Sequence, residues 1–265
     1  MKILICGKGG SGKSTIAALL ARHLNRMGYR VLLVDADESN FGLHLLAGVG
    51  RPASIMENLG GKAEFKARLN QPLAPGGNPF QEMLTIDELP ESCVAGTDSL
   101  RVTAIGKIHA FGEGCACAMG MLSRTVLSKL NLGENDFVLI DTEAGIEHFG
   151  RRVDAECDLI LGVVDPVYES FLMAGTIREM ARNAGKECRF VLNKVTATTL
   201  DIMLRHMAEA DVIARISQSE RIFQDSLHGN ALTEDLPELE PLCRWVADRK
   251  SRLNLQPASP VANPF

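Results

Sequence analysis

Short apolar runs alternate with longer stretches in which apolar residues recur at helical spacing. The runs at residues 3–6, 31–34, 101–105, 137–140, 159–164, 190–192 and 212–215 are nearly unbroken in hydrophobicity, as strands covered on both faces should be. Between and after them, residues 13–27, 170–183, 200–208 and 236–249 repeat their apolar positions every three to four residues, which predicts helices. Strand and helix in alternation predict an α/β fold: one domain with a mostly parallel sheet and helices on both faces. Residues 42–99 break the pattern with glycine and proline clusters and read as loops and short helices beside the sheet. The domain is expected to span 1–250. Residues 251–265 carry Pro257, Pro260 and Pro264 and are expected to form a flexible tail. Trp245, the only tryptophan, falls in the closing helix as a packing residue.

Composition changes this picture little. Hydrophobic residues make up 46% of the 265 and charged residues 23%, an ordinary globular balance with room for one sizeable core. The net charge of −5 argues against a dedicated nucleic-acid binder, which usually carries a basic surface. No run approaches the roughly 20 apolar residues of a membrane span, and the first apolar run is too short for a signal peptide. A cytoplasmic protein with neither nucleic acid nor membrane as partner is expected. Seven scattered cysteines do not make a disulfide framework in a reducing compartment.

The strongest chemical signal lies between the first strand and the first helix. Gly7-Lys8-Gly9-Gly10-Ser11-Gly12-Lys13-Ser14 fits G-x-x-x-x-G-K-[ST], the P-loop of nucleoside triphosphatases. Its glycines let backbone N–H groups at Gly9, Gly10, Ser11 and Gly12 face the phosphates, and the helix adds its positive end. Lys13 is expected at the β- and γ-phosphates, Ser14 on Mg²⁺ and Thr15 at the α-phosphate. The chain is therefore expected to be an Mg²⁺-dependent ATPase binding ATP and ADP. Lys8 extends the motif to K-G-G-x-G-K-[ST], which resembles the deviant P-loop of the MinD/ParA/nitrogenase-iron-protein superfamily. That resemblance implies a homodimer with nucleotide between the subunits and Lys8 reaching into the partner's site.

Two strands end in aspartate at the sheet edge where ligands of parallel sheets bind. Asp35 and Asp37 follow the second strand; a carboxylate there can orient an attacking water or hold Mg²⁺ through its waters. The resemblance assigns the water to Asp37. Asp141 ends the strand at 137–140 and is expected to hold Mg²⁺ through water, with Thr142-Glu143-Ala144-Gly145-Ile146-Glu147-His148 following as a second switch. Asn193-Lys194 resembles the superfamily's adenine-contacting pair, since an amide both donates to and accepts from a base edge. Where the superfamily often has proline on the far side of the base pocket, this chain has Ser217.

Gly114-Cys115-Ala116-Cys117 lies between a strand and a helix. An extended C-x-C projects both thiols to one side, yet two thiolates cannot complete a tetrahedral site. Two chains related by a two-fold axis would bring four together, suiting Zn²⁺ or square-planar Ni²⁺ at the dimer interface. The combination of K-G-G-S-G-K-S-T, G-C-A-C-A-M and D-T-E-A-G-I-E-H-F-G-R resembles the CooC-type nickel-insertion ATPases. The resemblance implies a metallochaperone whose client is carbon monoxide dehydrogenase, or acetyl-CoA synthase for a close relative. It also implies Cys115 and Cys117 as metal ligands. Ala118 stands where that family is expected to have proline.

Other readings meet specific obstacles. A nitrogenase-like electron-transfer ATPase needs two well-separated cluster cysteines, and the second-switch position for one of them is Ala144. A MinD-type positioning protein should end in an amphipathic helix, which a proline-containing tail does not supply. A ParA-type DNA segregator should carry a basic face. A nucleotide-gated metal store with vestigial hydrolysis is the non-catalytic alternative. His148 reads as a packing residue.

Overall fold

The computed structural model describes residues 1–69, 83–107, 117–150 and 152–255. The strands are β1 (Lys2–Gly7), β2 (Arg30–Asp35), β3 (Val94–Gly96), β4 (Leu100–Ala104), β5 (Asp136–Asp141), β6 (Leu159–Val164), β7 (Glu187–Val195) and β8 (Val212–Ser217). The helices are α1 (Lys13–Arg26), α2 (Leu43–Ala47), α3 (Ile55–Asn58), α4 (Gly61–Leu69), α5 (Cys117–Lys129), α6 (Glu147–Gly150), α7 (Tyr168–Asn183), α8 (Leu200–His206), α9 (Glu220–His228) and α10 (Glu240–Leu255).

Among the described residues the strands form one sheet in the order β3-β4-β2-β5-β1-β6-β7-β8. Every neighbouring pair is parallel except β3 with β4. The expected α/β architecture is present. Alternate strand residues feed two separate cores, because successive side chains leave a strand on opposite faces. Ile3 and Ile5 pack with Leu33, Leu139 and Leu161 against α1 and α10. Leu4 and Cys6 pack with Val34, Ile140 and Ile160 against α5 and α7. This double burial is why β5 and β6 are buried at every position and read as unbroken apolar runs.

Three features depart from the sequence pattern. β3 is a three-residue antiparallel edge with Val94 opposite Thr103, too short to show alternation. α9 was not predicted, because none of its residues is buried. It carries cap signals at both ends, however: Ser219 accepts a hydrogen bond from the Ile222 amide at 3.2 Å, and Gly229 closes it in the left-handed region at φ 69°. The closing helix begins at Glu240 after a 3₁₀ turn at Pro237–Leu239 and continues to Leu255. Residues 251–255 are thus helical where a flexible tail was expected. The buried Lys250 ammonium fixes this end by donating to the Asp136 and Gly133 carbonyls at 2.8 and 3.3 Å. Trp245 is half-buried against the α1 face of the sheet, with the Arg189 guanidinium 5.4 Å from its ring. No helix among the described residues is long and apolar enough to cross a membrane.

Candidate functional site

A parallel sheet delivers all its strand C-termini to one edge. Here that edge gathers Gly7 (β1), Asp35 (β2), Asp141 (β5) and Asn193 (β7). The register places Asp141 opposite both Asp35 and Ile5, and Gly7 opposite Val163. Residues separated by more than a hundred positions therefore meet without any loop having to be placed independently.

The loop from Gly7 to Ser14 wraps this edge. At Gly7 (φ 147°) a Cβ would lie 2.4 Å from the Val163 carbonyl oxygen, so no side chain fits. Gly12, left-handed at φ 97°, is the N-cap of α1, and a Cβ there would strike the Asn193 amide at 2.3 Å. The same amide donates to the Ser11 carbonyl at 2.8 Å, so the expected base-contacting asparagine also braces the loop. Lys194, itself left-handed at φ 56°, donates to the Gly10 carbonyl at 2.5 Å. Lys13 is nearly buried, its ammonium 3.4 Å from the Lys8 carbonyl. Gly9 and Gly10 are exposed, and Lys8 turns its ammonium back onto the Gly9 carbonyl at 3.0 Å. On the other side the Gly145 amide donates to the Gly7 carbonyl at 3.2 Å, joining the second switch to the loop.

Ser14 and Asp141 meet directly, the hydroxyl donating to Oδ2 at 2.5 Å. Asp141 is fully buried, and its other oxygen, Oδ1, has no hydrogen-bond partner among the described residues. A buried carboxylate oxygen without a donor is costly, and a hard divalent cation would satisfy it. Burial pushes the Asp141 carboxyl up to about 7; the Ser14 hydroxyl opposes the shift and Asp35 adds to it. Asp35 is buried too and is pushed up to about 6, burial again outweighing the opposing Lys107 ammonium. Its Oδ2 lies 2.7 Å from that ammonium and its Oδ1 accepts from the Asp37 amide at 3.3 Å. Asp37 is half-buried and its Oδ1 accepts from the Ser39 amide and hydroxyl at 2.9 and 2.7 Å.

Both carboxyls rise above their ordinary value of 3.8. An acid whose folded pKa is raised contributes stability that is complete below its unfolded pKa and lost as pH rises through its folded pKa. Mg²⁺ needs these carboxyls ionised, and their ionisation is complete only once pH has risen through the raised values. Mg-ADP is therefore expected to raise the melting temperature more at pH 8.5 than at pH 5.5. Melting curves at the two pH values, with and without Mg-ADP, check this.

Beside the loop opens a cleft of about 800 Å³, lined among others by Lys13, Thr15, Asn193, Gln218, Ile222 and Phe223, within the size range of small-molecule sites. Ser217 is part of this wall, so β8 and the start of α9 supply the far side that the expected proline would have flanked.

Two site residues were missed in the sequence. Asn40 Nδ2 donates to Ser14 Oγ at 2.9 Å and to Asp141 Oδ2 at 3.3 Å, while its side-chain Oδ1 accepts from the Gly42 amide. Lys107, after β4, reaches back to Asp35. A lone asparagine and a lone lysine carry no motif; only the fold brings them here. Cys115 lies outside the described residues, and Cys117 is known as the first residue of α5. That helix connects β4 to β5, so it begins at the edge that carries the phosphate loop. Among the described residues no group of three or more His, Cys, Asp or Glu could hold a metal ion.

Residues 2–232 match the CobQ/CobB/MinD/ParA nucleotide binding domain. An uncharacterized ATP-binding protein of Methanocaldococcus jannaschii is 43% identical over 241 residues, 91% of this chain and 97% of that protein. The carbon monoxide dehydrogenase accessory protein CooC of Rhodospirillum rubrum is 34% identical over 206 residues, 76% of this chain and 77% of that protein. Among solved structures, the septum site-determining protein MinD of Pyrococcus horikoshii, complexed with Mg-ADP, superposes with a TM-score of 0.64 over 96% of both chains at 19% identity, which speaks to the fold alone. With its phosphate loop, paired aspartates and adjoining cleft in place, the chain belongs to the CobQ/CobB/MinD/ParA nucleotide-binding family and is an ATPase.

Proposed function

We propose that this ATPase is a metallochaperone that supplies nickel during maturation of carbon monoxide dehydrogenase, working as a homodimer whose state follows its nucleotide. One observation carries the reading: a chain 34% identical to a carbon monoxide dehydrogenase accessory protein over 77% of that protein also bears the Cys115-Ala116-Cys117 pair. Acetyl-CoA synthase is the alternative client. Nickel, or zinc in its place, is cargo. It sits between two chains on four thiolates, two from each Cys115/Cys117 pair, because a single pair leaves a metal half-coordinated.

The nucleotide half of the cycle follows from the site. ATP lies with its phosphates in the loop Gly9–Gly10–Ser11–Gly12 and against Lys13 and Thr15, and its base in the cleft beside Asn193. Ser14 would hold Mg²⁺ by its hydroxyl, and Asp141, whose Oδ1 is unpartnered, and Asp35 would hold it through water. Mg²⁺ neutralises charge on the phosphate oxygens. Asp37 orients the attacking water. Lys8 leaves the Gly9 carbonyl to which it is now bonded and crosses to the partner's phosphates when two chains close on ATP. Hydrolysis removes that contact and resets the dimer.

The test is maturation itself. Nickel-free carbon monoxide dehydrogenase incubated with Ni²⁺, this protein and MgATP is expected to gain activity at limiting nickel. It should gain little with a non-hydrolysable analogue or with Cys115→Ala/Cys117→Ala. Activation that is equal with and without the protein contradicts the proposal, as does equal activation by the cysteine-free variant.

A further inference from the structure

The nucleotide motifs give the Lys107 ammonium no role. Lys107 follows β4, and its side chain is only 7% exposed. Its ammonium meets three acceptors at the end of β2 and on the short loop after it: Asp35 Oδ2 at 2.7 Å, the Asp37 carbonyl at 2.6 Å and the Asn40 carbonyl. The Phe41 ring lies 5.8 Å away. A lysine ammonium has three hydrogens to donate, so this one is fully used. None of its three partners is a phosphate-loop atom.

The loop held in this way carries two groups of the site. Asp37 is the carboxylate proposed to orient the attacking water. Asn40 donates to Ser14 Oγ and Asp141 Oδ2. The base from which Lys107 reaches is firm, since the Ile105 amide donates to the Asp35 carbonyl at 2.9 Å and the Ile105 carbonyl accepts from the Met56 amide at 2.9 Å. The loop is short and exposed at Ser39. The loop is also tethered by the Asn40 side chain, the Ala36 amide on the Asp141 carbonyl, the turn at Gly42, the buried Glu38 and the Phe41 ring beneath the Arg51 guanidinium.

We propose that Lys107 is a positioning residue for ATP hydrolysis: its ammonium ties the backbone of Asp37 and Asn40 to the end of β4 and so sets where the Asp37 carboxylate stands. It acts through the loop and not on the phosphates. Its loss should therefore fall on turnover while nucleotide affinity, set by the loop from Gly9 to Thr15, is largely kept. Misplacing a reacting group by about 1 Å can cost roughly 10²-fold in rate.

The test pairs two substitutions with three readouts. Lys107→Met is expected to lower kcat by roughly 10- to 100-fold while leaving the Kd for ADP within about threefold. Amide exchange at Ser39 and Gly42 should accelerate, with α1 and β5 unchanged. Lys107→Arg keeps a positive charge beside Asp35, so it is the variant to read if Lys107→Met does not fold; its bulkier fork does not fit three acceptors grouped for an ammonium, and kcat should again fall with the ADP Kd kept. Wild-type kcat in either folded variant overturns the proposal. So does a loss of ADP affinity that matches the loss of kcat, since that marks a general collapse of the site.

Discussion

Lys13→Ala is expected to abolish most ATP turnover, by about 10²–10³-fold, the range seen when one preorganised charge-stabilising donor is removed from a reaction centre. Lys13 is the first residue of α1 and is only 7% exposed, walled in by the glycine loop. An ammonium in such a place faces the phosphates in a medium that screens it poorly. The helix N-terminus supports it with its own positive end. The expected loss is large because Lys13 is the lysine of its own chain's phosphate loop that adds a full charge where negative charge moves during phosphoryl transfer, Lys8 reaching only the partner's phosphates. Steady-state turnover with saturating MgATP checks it. Turnover within a few-fold of wild type would mean that hydrolysis is organised elsewhere.

Cys115→Ala/Cys117→Ala is expected to reduce bound nickel or zinc to background. The other five cysteines cannot stand in. Cys6, Cys93, Cys157 and Cys243 are buried and Cys188 is half-buried. Burial pushes all five thiols above their ordinary range, which keeps them protonated at neutral pH, and a thiol must lose its proton to bind metal. Any metal lost by the double variant is therefore assigned to the pair. Metal analysis of purified variant and parent, with ADP binding as the check on folding, gives the comparison.

The sequence was most legible where physics repeats itself. Strands buried on both faces are apolar through their interior positions, so the central strands stood out, and β6 was bounded as found at Leu159–Val164. The phosphate loop was legible because only glycine tolerates the backbone at Gly7 and Gly12. Asp35 and Asp141 were legible because parallel strands end together. What stayed hidden lacks such a rule. β3 is an edge of three residues, and α9 has no fully buried residue, Ile222 packing only in part against the core, so no buried face marked it. Asn40 and Lys107 reach the site from loops after β2 and β4, and their contacts depend on how those loops fold back. The tail was misjudged over residues 251–255 because prolines further on were allowed to speak for residues that α10 retains.

In the proposed cycle nucleotide state and metal binding meet in one dimer. Bound nickel and zinc, measured together with oligomeric state on the same samples without nucleotide, with ADP and with a non-hydrolysable ATP analogue, test this. A dimer holding roughly one metal ion per two chains is expected, with occupancy that changes between the ADP and analogue forms and vanishes in Cys115→Ala/Cys117→Ala. A protein that stays monomeric in every form, or whose metal content is the same with and without the two cysteines, would contradict it.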